Sequence, residues 1–146
     1  MSIAQLQEFL NGAFPDAPPP YLIEEVALWG VGIRLPVTSA HSRPGGTVSG
    51  PTLMAMADAA AWLAILAQIG PVALAVTTSL HIDFLRKPPL LDILAEGRLL
   101  KLGRRLAVVS VALWSAGAEG LEPAGGAGAP PDLVASAQVT YSIPPS

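Results

Sequence analysis

The sequence predicts an α+β fold in which a curved, mostly antiparallel β-sheet wraps around one long central helix. Three observations lead there. Residues 51–69 are almost wholly apolar and rich in Ala, Leu, Met and Ile, with no glycine or proline after Pro51. These are strong helix formers, and a helix that is apolar on every side must be covered. About five other stretches carry the β-branched content or the period-two alternation of strands. Finally, 51% of the 146 residues are hydrophobic and only 13% charged, where about a quarter charged is usual. So little charge leaves few groups to clothe a free-standing surface, which points to a second copy of the chain covering part of it.

Taken in order, residues 3–13 place Ile3, Leu6, Phe9 and Leu10 at helical spacing, and a short amphipathic helix ending near Gly12 is expected. The prolines of residues 15–20 make a stiff connector. Residues 22–36 read as one strand in which Gly30 and Gly32 mark a bulge or a close approach. Residues 39–46 read as a loop. Ser49 or Gly50 caps the long helix, Pro51 takes its first position, and Gly70-Pro71 ends it. Residues 75–85 alternate, with Thr78, Leu80, Ile82 and Phe84 on one face and Thr77, Ser79, His81 and Asp83 on the other. Residues 93–102 and 105–115 form a hairpin turning at Gly103-Arg104. The Gly/Ala/Pro-rich residues 117–131 lack anchors and are expected to form a mobile tip. Residues 133–143 supply the last strand. No internal repeat or second block of composition is visible, so residues 1–146 read as one domain. The sheet must curl round the helix, because nothing else in the chain is left to cover it.

Several functions are disfavoured at once. A net charge of −3 provides no electrostatic footprint for nucleic acid. With no cysteine in the chain, thiol catalysis and thiolate metal sites are ruled out. His41 and His81 have no metal-ligand spacing, and no metal is expected. The N-terminus lacks the basic region of a signal peptide, and a cytoplasmic protein is expected. The long helix approaches the roughly 20 residues of a membrane span, but it is Ala-rich, lacks flanking anchors, and carries Asp58 near its middle. Asp58 is the only charged residue between Arg43 and His81. A lone carboxylate in such a helix calls for a chemical reason, since unpaired buried carboxylates are rarely kept for stability.

Four segments in register, GTVSGPTLMAMAD, VTTSLHIDFLRKP, LGRRLAVVSVALW and ASAQVTYS, resemble the hot-dog fold, and within it the acyl-CoA thioesterases of the phenylacetate-degradation (PaaI-like) type. The likeness spans roughly residues 25–143. It implies an acyl-CoA thioesterase that needs no cofactor, coenzyme A being part of the substrate; a homodimer is expected, with a dimer of dimers left open. The family motif is G-T-x-H-G-G with a carboxylate eight residues past the first of the paired glycines. Here it reads Gly46-Thr47-Val48-Ser49-Gly50-Pro51, and the carboxylate is Asp58. By resemblance, the Gly50 N–H polarises the thioester oxygen, Asp58 is general base or nucleophile, and Thr77 helps hold the attacking water. Ser49 stands where the family has His, Pro51 where it has the second Gly, and Arg43 or Ser42 near its upstream Asn. Arg43 and Ser49 are therefore candidate substrate contacts, and the basic turns at Arg86-Lys87 and Arg104-Arg105 are candidate holders of coenzyme A phosphates.

Helix geometry adds one constraint. Asp58 lies eight residues past Gly50, about 12 Å along the axis, whereas base and oxyanion donor must both come within about 3 Å of one reacting carbon. One helix cannot do both. Two antiparallel helices across a two-fold axis can, so the expectation is an obligate dimer with composite sites. The rival readings are a non-catalytic acyl-CoA-binding protein, favoured by the Ser49 and Pro51 departures, and a hydratase or dehydratase, disfavoured because no His lies on the helix.

Overall fold

A computed structural model describes residues 1–16, 19–72, 74–116 and 132–145. Helix α1 (Ile3–Ala13) leads into a β1 (Leu22–Ala27)–β2 (Gly30–Leu35) hairpin and a 3-10 turn at Ser39–His41. A small hairpin follows, β3 (Ser42–Arg43) with β4 (Thr47–Val48), then helix α2 (Gly50–Ile69). The chain continues through β5 (Val76–Phe84), β6 (Ile93–Leu102), β7 (Leu106–Ser115) and β8 (Leu133–Ser142). Six strands form one antiparallel sheet in the order β1-β2-β6-β7-β8-β5. This sheet packed on one long helix is the hot-dog arrangement that the resemblance implies.

Helix α2 is the core helix. Leu53, Met56, Leu63, Ile65 and Leu66 are no more than 2% exposed, each such burial stabilising by about 1.5–3 kcal/mol. The helix is long and apolar enough to cross a membrane by composition, but here most of it is buried inside the protein. Its N-terminus is set by the small hairpin. Gly45 and Gly46 take φ of 103° and 75° in the turn, a region that side chains disfavour. The Ser49 N–H then donates to the His41 carbonyl at 2.9 Å. The Ser49 hydroxyl caps the helix by accepting from the Thr52 N–H at 3.3 Å. Gly50, not Pro51, is the first helical residue, and Pro51 the second.

Close approach of sheet to helix depends on Gly97 in β6. A Cβ built there would meet the Ala60 carbonyl oxygen at 2.9 Å, and that oxygen belongs to helix backbone that cannot swing away.

Three expectations need correction. Residues 22–36 are two strands, not one. The chain reverses at Leu28-Trp29, with Trp29 at φ 68°, a turn without the Asn or Gly that usually announces it. The bulge in this region falls between Ile23 and Glu25, while Gly30 marks a close approach, its Cβ position being 3.1 Å from the Gly97 carbonyl. The sheet accordingly has six strands rather than five. Helix α2 is covered by more than the sheet. Leu6 and Leu10 of α1 are buried, Phe9 lies 6.0 Å from the Trp62 ring, and the Met1 ammonium donates to the Ala67 carbonyl at 2.9 Å. The expected mobile tip at 117–131 lies outside the described residues.

Candidate active site

Asp58 sits on the α2 face that looks past α1 toward β5 and β8. It is partly rather than fully buried, and it is not unpaired. Its Oδ1 accepts from the Thr77 hydroxyl at 2.6 Å and from the Tyr141 hydroxyl at 2.8 Å. Tyr141 also reaches the Asp58 main-chain carbonyl at 3.2 Å. Oδ2 has no hydrogen-bond partner among the described residues, and Asp58 makes no ion pair there. One carboxylate oxygen is clamped and the other is left free.

The clamp is a product of strand register. Thr77 on β5 stands directly opposite Tyr141 on β8, and cross-strand partners project from the same face. A bulge between Thr77 and Ser79 breaks the simple alternation of β5 at this point and re-aims its first side chains. Sequence reasoning missed Tyr141. The signal available was its place after Val139 on the buried face of the last strand, where a phenol needs a partner for its hydroxyl.

Burial chiefly, with the Asp58 charge adding to it against an opposing hydrogen bond from Thr77, pushes the Tyr141 phenol well above its usual value. Tyr21 is likewise pushed up to about 12, mainly by burial and then by the Asp58 charge. Both phenols therefore stay protonated, and so remain donors, across the neutral range.

Asp58 opens on a cleft of about 350 Å³ whose walls include Leu10, Phe14, Ala59 and Trp62, with Thr77 and Tyr141 beside the carboxylate. An apolar slot with one half-free carboxylate at its wall has the shape to take an apolar chain whose polar end meets the acid.

The other candidate residues fall at two ends of the sheet. Thr77 and Tyr141 pair near the start of β5, and the Gly103–Arg105 turn lies at that end, since the Ile143 N–H donates to the Arg105 carbonyl. Gly50 lies at the far end of β5, where its Cβ position is 3.6 Å from the Phe84 ring. Ser49, Arg43 and the Arg86-Lys87 turn gather there, Val48 N–H donating to Pro88 O at 3.2 Å. Thr77 and Phe84 are seven strand residues apart, about 23 Å. Within one chain, then, Asp58, Thr77 and Arg104 form one group and Gly50, Ser49, Arg43, Arg86 and Lys87 another. The Gly50 N–H has no acceptor among the described residues, as befits the first turn of a helix. The Ser49 oxygen is engaged in the cap and also lies 2.6 Å from Thr52 Oγ1, and Arg86 pairs with Asp132 at 3.5 Å.

The family profile described as the thioesterase superfamily matches residues 45–121, just over half the chain and including Gly50, Asp58 and Thr77. This chain belongs to the thioesterase superfamily. The solved structures agree. A Silicibacter protein provisionally called a thioesterase is 42% identical, with a TM-score of 0.82 over 99% of this chain and 93% of its own. A mutant of the phenylacetic acid degradation protein PaaI from Thermus thermophilus is 25% identical, with a TM-score of 0.66 over 85% of this chain and 93% of its own. Zebrafish thioesterase superfamily member 2 is 22% identical, with a TM-score of 0.76 over 99% of both chains, a likeness of fold. No functionally curated protein matches the sequence. As a thioesterase, the chain is a thioester hydrolase. The pairing of Asp58 with Tyr141 is read from its own geometry.

Proposed function

We propose that this thioesterase hydrolyses a small or medium acyl or aryl thioester of coenzyme A at a site shared by two copies of the chain. The observation that carries the proposal is the divided carboxylate: Oδ1 of Asp58 is held by two hydroxyls, while Oδ2 is free at the wall of an apolar cleft. Oδ2 is the oxygen available to take a proton from water or to attack the thioester itself. In the water route, oxygen adds to the carbonyl carbon as its proton passes to Oδ2. The oxyanion is met by the Gly50 N–H of a second copy, at the positive end of that copy's α2. Collapse breaks the C–S bond, and the departing thiolate takes the proton from Asp58.

A second copy is needed because eight helical residues separate Gly50 from Asp58, about 12 Å. An antiparallel neighbour would bring each group of candidate residues to the other, setting Arg43, Arg86 and Lys87 beside Arg104 to receive the coenzyme A phosphates. The sheet edge at β5 supports such a neighbour. Val76, Phe84 and Leu85 are more than half exposed along it, and an uncovered apolar edge strand invites pairing.

The test is thiol release from short, medium and aryl acyl-CoA thioesters by the parent and by Asp58→Asn. The expected outcome is hydrolysis that falls by at least about a hundredfold in the near-isosteric variant, as is typical when a general base is removed, with the assembly intact. Binding of an intact thioester without cleavage would make the chain an acyl-CoA-binding protein instead.

A further inference from the structure

A second chamber, of about 320 Å³, adjoins the Asp58 cleft along α2, and Ala55 lines both. Its walls include Tyr21, Leu35, His41, Pro51 and Thr52. Two of these residues bring polar groups that have no partner among the described residues. Tyr21 is only 9% exposed. Its hydroxyl has no hydrogen-bond partner among the described residues, and because no buried side-chain polar atom there is unpaired, that oxygen is open to solvent. Its position is held from behind, because Gln7 of α1 donates to the Tyr21 carbonyl at 3.1 Å and accepts from the Ile23 N–H at 2.8 Å. His41 is oriented just as firmly. Its Nδ1 accepts from the Thr38 N–H at 2.9 Å, so in the neutral ring the hydrogen sits on Nε2. That Nε2–H is without a partner among the described residues. Thr52, the other polar side chain here, is already engaged with Ser49.

The open chamber therefore presents two donors without a protein partner among the described residues, on separate elements, along otherwise mostly apolar walls. A ligand acceptor would take them over from water, for the modest net gain of a neutral hydrogen bond. We infer that the Tyr21 hydroxyl and the His41 Nε2–H form a specificity subsite for an acceptor oxygen carried by the acyl group, a ketone carbonyl being the simplest case. Ala55 and Thr52 precede Asp58 by three and six helical residues, about 4.5 and 9 Å along the axis. The oxygen recognised thus lies several bonds from the thioester carbonyl, toward the distal end of the acyl chain. This inference rests on the thioesterase reading of the cleft for its substrate, but it makes a separate claim about selectivity. A site built to hydrogen-bond a substrate oxygen discriminates against the analogue that lacks it more sharply than an apolar pocket can discriminate by size.

The test compares hexanoyl-CoA with 5-oxohexanoyl-CoA, two ligands matched except for one ketone. Affinities are measured by calorimetry in the Asp58→Asn protein, which keeps the chamber and slows hydrolysis, and thiol release is followed in the parent. The expected result is a preference of about five- to tenfold for the oxo ligand, the size of one or two neutral hydrogen bonds. Tyr21→Phe in the same background should bring the affinity ratio close to one. His41→Asn, whose amide oxygen can still accept from Thr38 while the Nε2–H is lost, should lower the ratio independently from another element. Equal affinities in the Asp58→Asn protein, no binding of either ligand, or Tyr21→Phe and His41→Asn both leaving the ratio intact would overturn the inference. Absence of thiol release from either ligand by the parent would overturn the hydrolase reading instead, while a surviving affinity ratio would uphold the subsite.

Discussion

Tyr141 and Thr77 do more for Asp58 than hold it still. Both hydroxyls converge on Oδ1, so the carboxylate cannot rotate to exchange its oxygens without breaking two charge-assisted hydrogen bonds, each contributing about 1.5–3 kcal/mol. Fixing the oxygens in this way leaves Oδ2 as the working atom. Tyr141 is on this view a positioning residue, and it can be tested as one. With one donor gone the carboxylate is freer to turn out of its working geometry, so Tyr141→Phe should lower kcat about tenfold with KM little changed, as steady-state kinetics would read. A loss of activity that only follows a fall in Tm, or that falls on KM rather than kcat, would mean that Tyr141 serves only the fold.

At the scale of elements, the position of Asp58 depends on how closely α2 lies on the sheet. The seating is set at Gly97, where β6 meets the Ala60 carbonyl, two residues beyond Asp58 on the same helix. Adding a single methyl group there forces helix and strand apart, and overpacking of this kind costs about 1–3 kcal/mol. Gly97→Ala should lower the urea midpoint accordingly without changing the denaturant slope, as chemical unfolding followed by circular dichroism would read. The same carbon added at Gly50 meets only the Phe84 ring at an ordinary 3.6 Å. Glycine at position 97 is thus a packing requirement, while at position 50 space alone does not demand it.

For the whole molecule, the division of candidate residues between two ends of the sheet carries a consequence that mixing can test. Asp58→Asn spoils one half of each proposed composite site. Gly50→Pro removes the N–H of the other half at a helix position where proline is well tolerated. Each variant alone should be nearly inactive. Unfolded and refolded together in equal amounts, they should recover about a quarter of parental activity, because half the dimers are mixed and each mixed dimer has one intact site. Measured recovery near zero would place base and oxyanion donor within one chain.

By itself the sequence determined the elements whose signals are local. The apolar run of α2, its Ser49 cap and Gly70 stop, the alternating strands and the lone Asp58 all follow from composition and spacing, because helix and strand periods are properties of neighbouring residues. The turn at Leu28-Trp29 escaped because its left-handed residue is a tryptophan held by the strands on either side. The cover provided by α1 escaped because amphipathic spacing says that a helix must dock, not where. Only the tertiary structure decided the partners of Asp58. Thr77 and Tyr141 are sixty-four positions apart, and they meet through the β5–β8 register and its bulge. Likewise, Tyr21 and His41 share a chamber only because the connector before β1, the end of β2 and the 3-10 turn meet at the start of α2. Contacts between residues so distant in the chain are fixed by packing and pairing, and no local pattern encodes them.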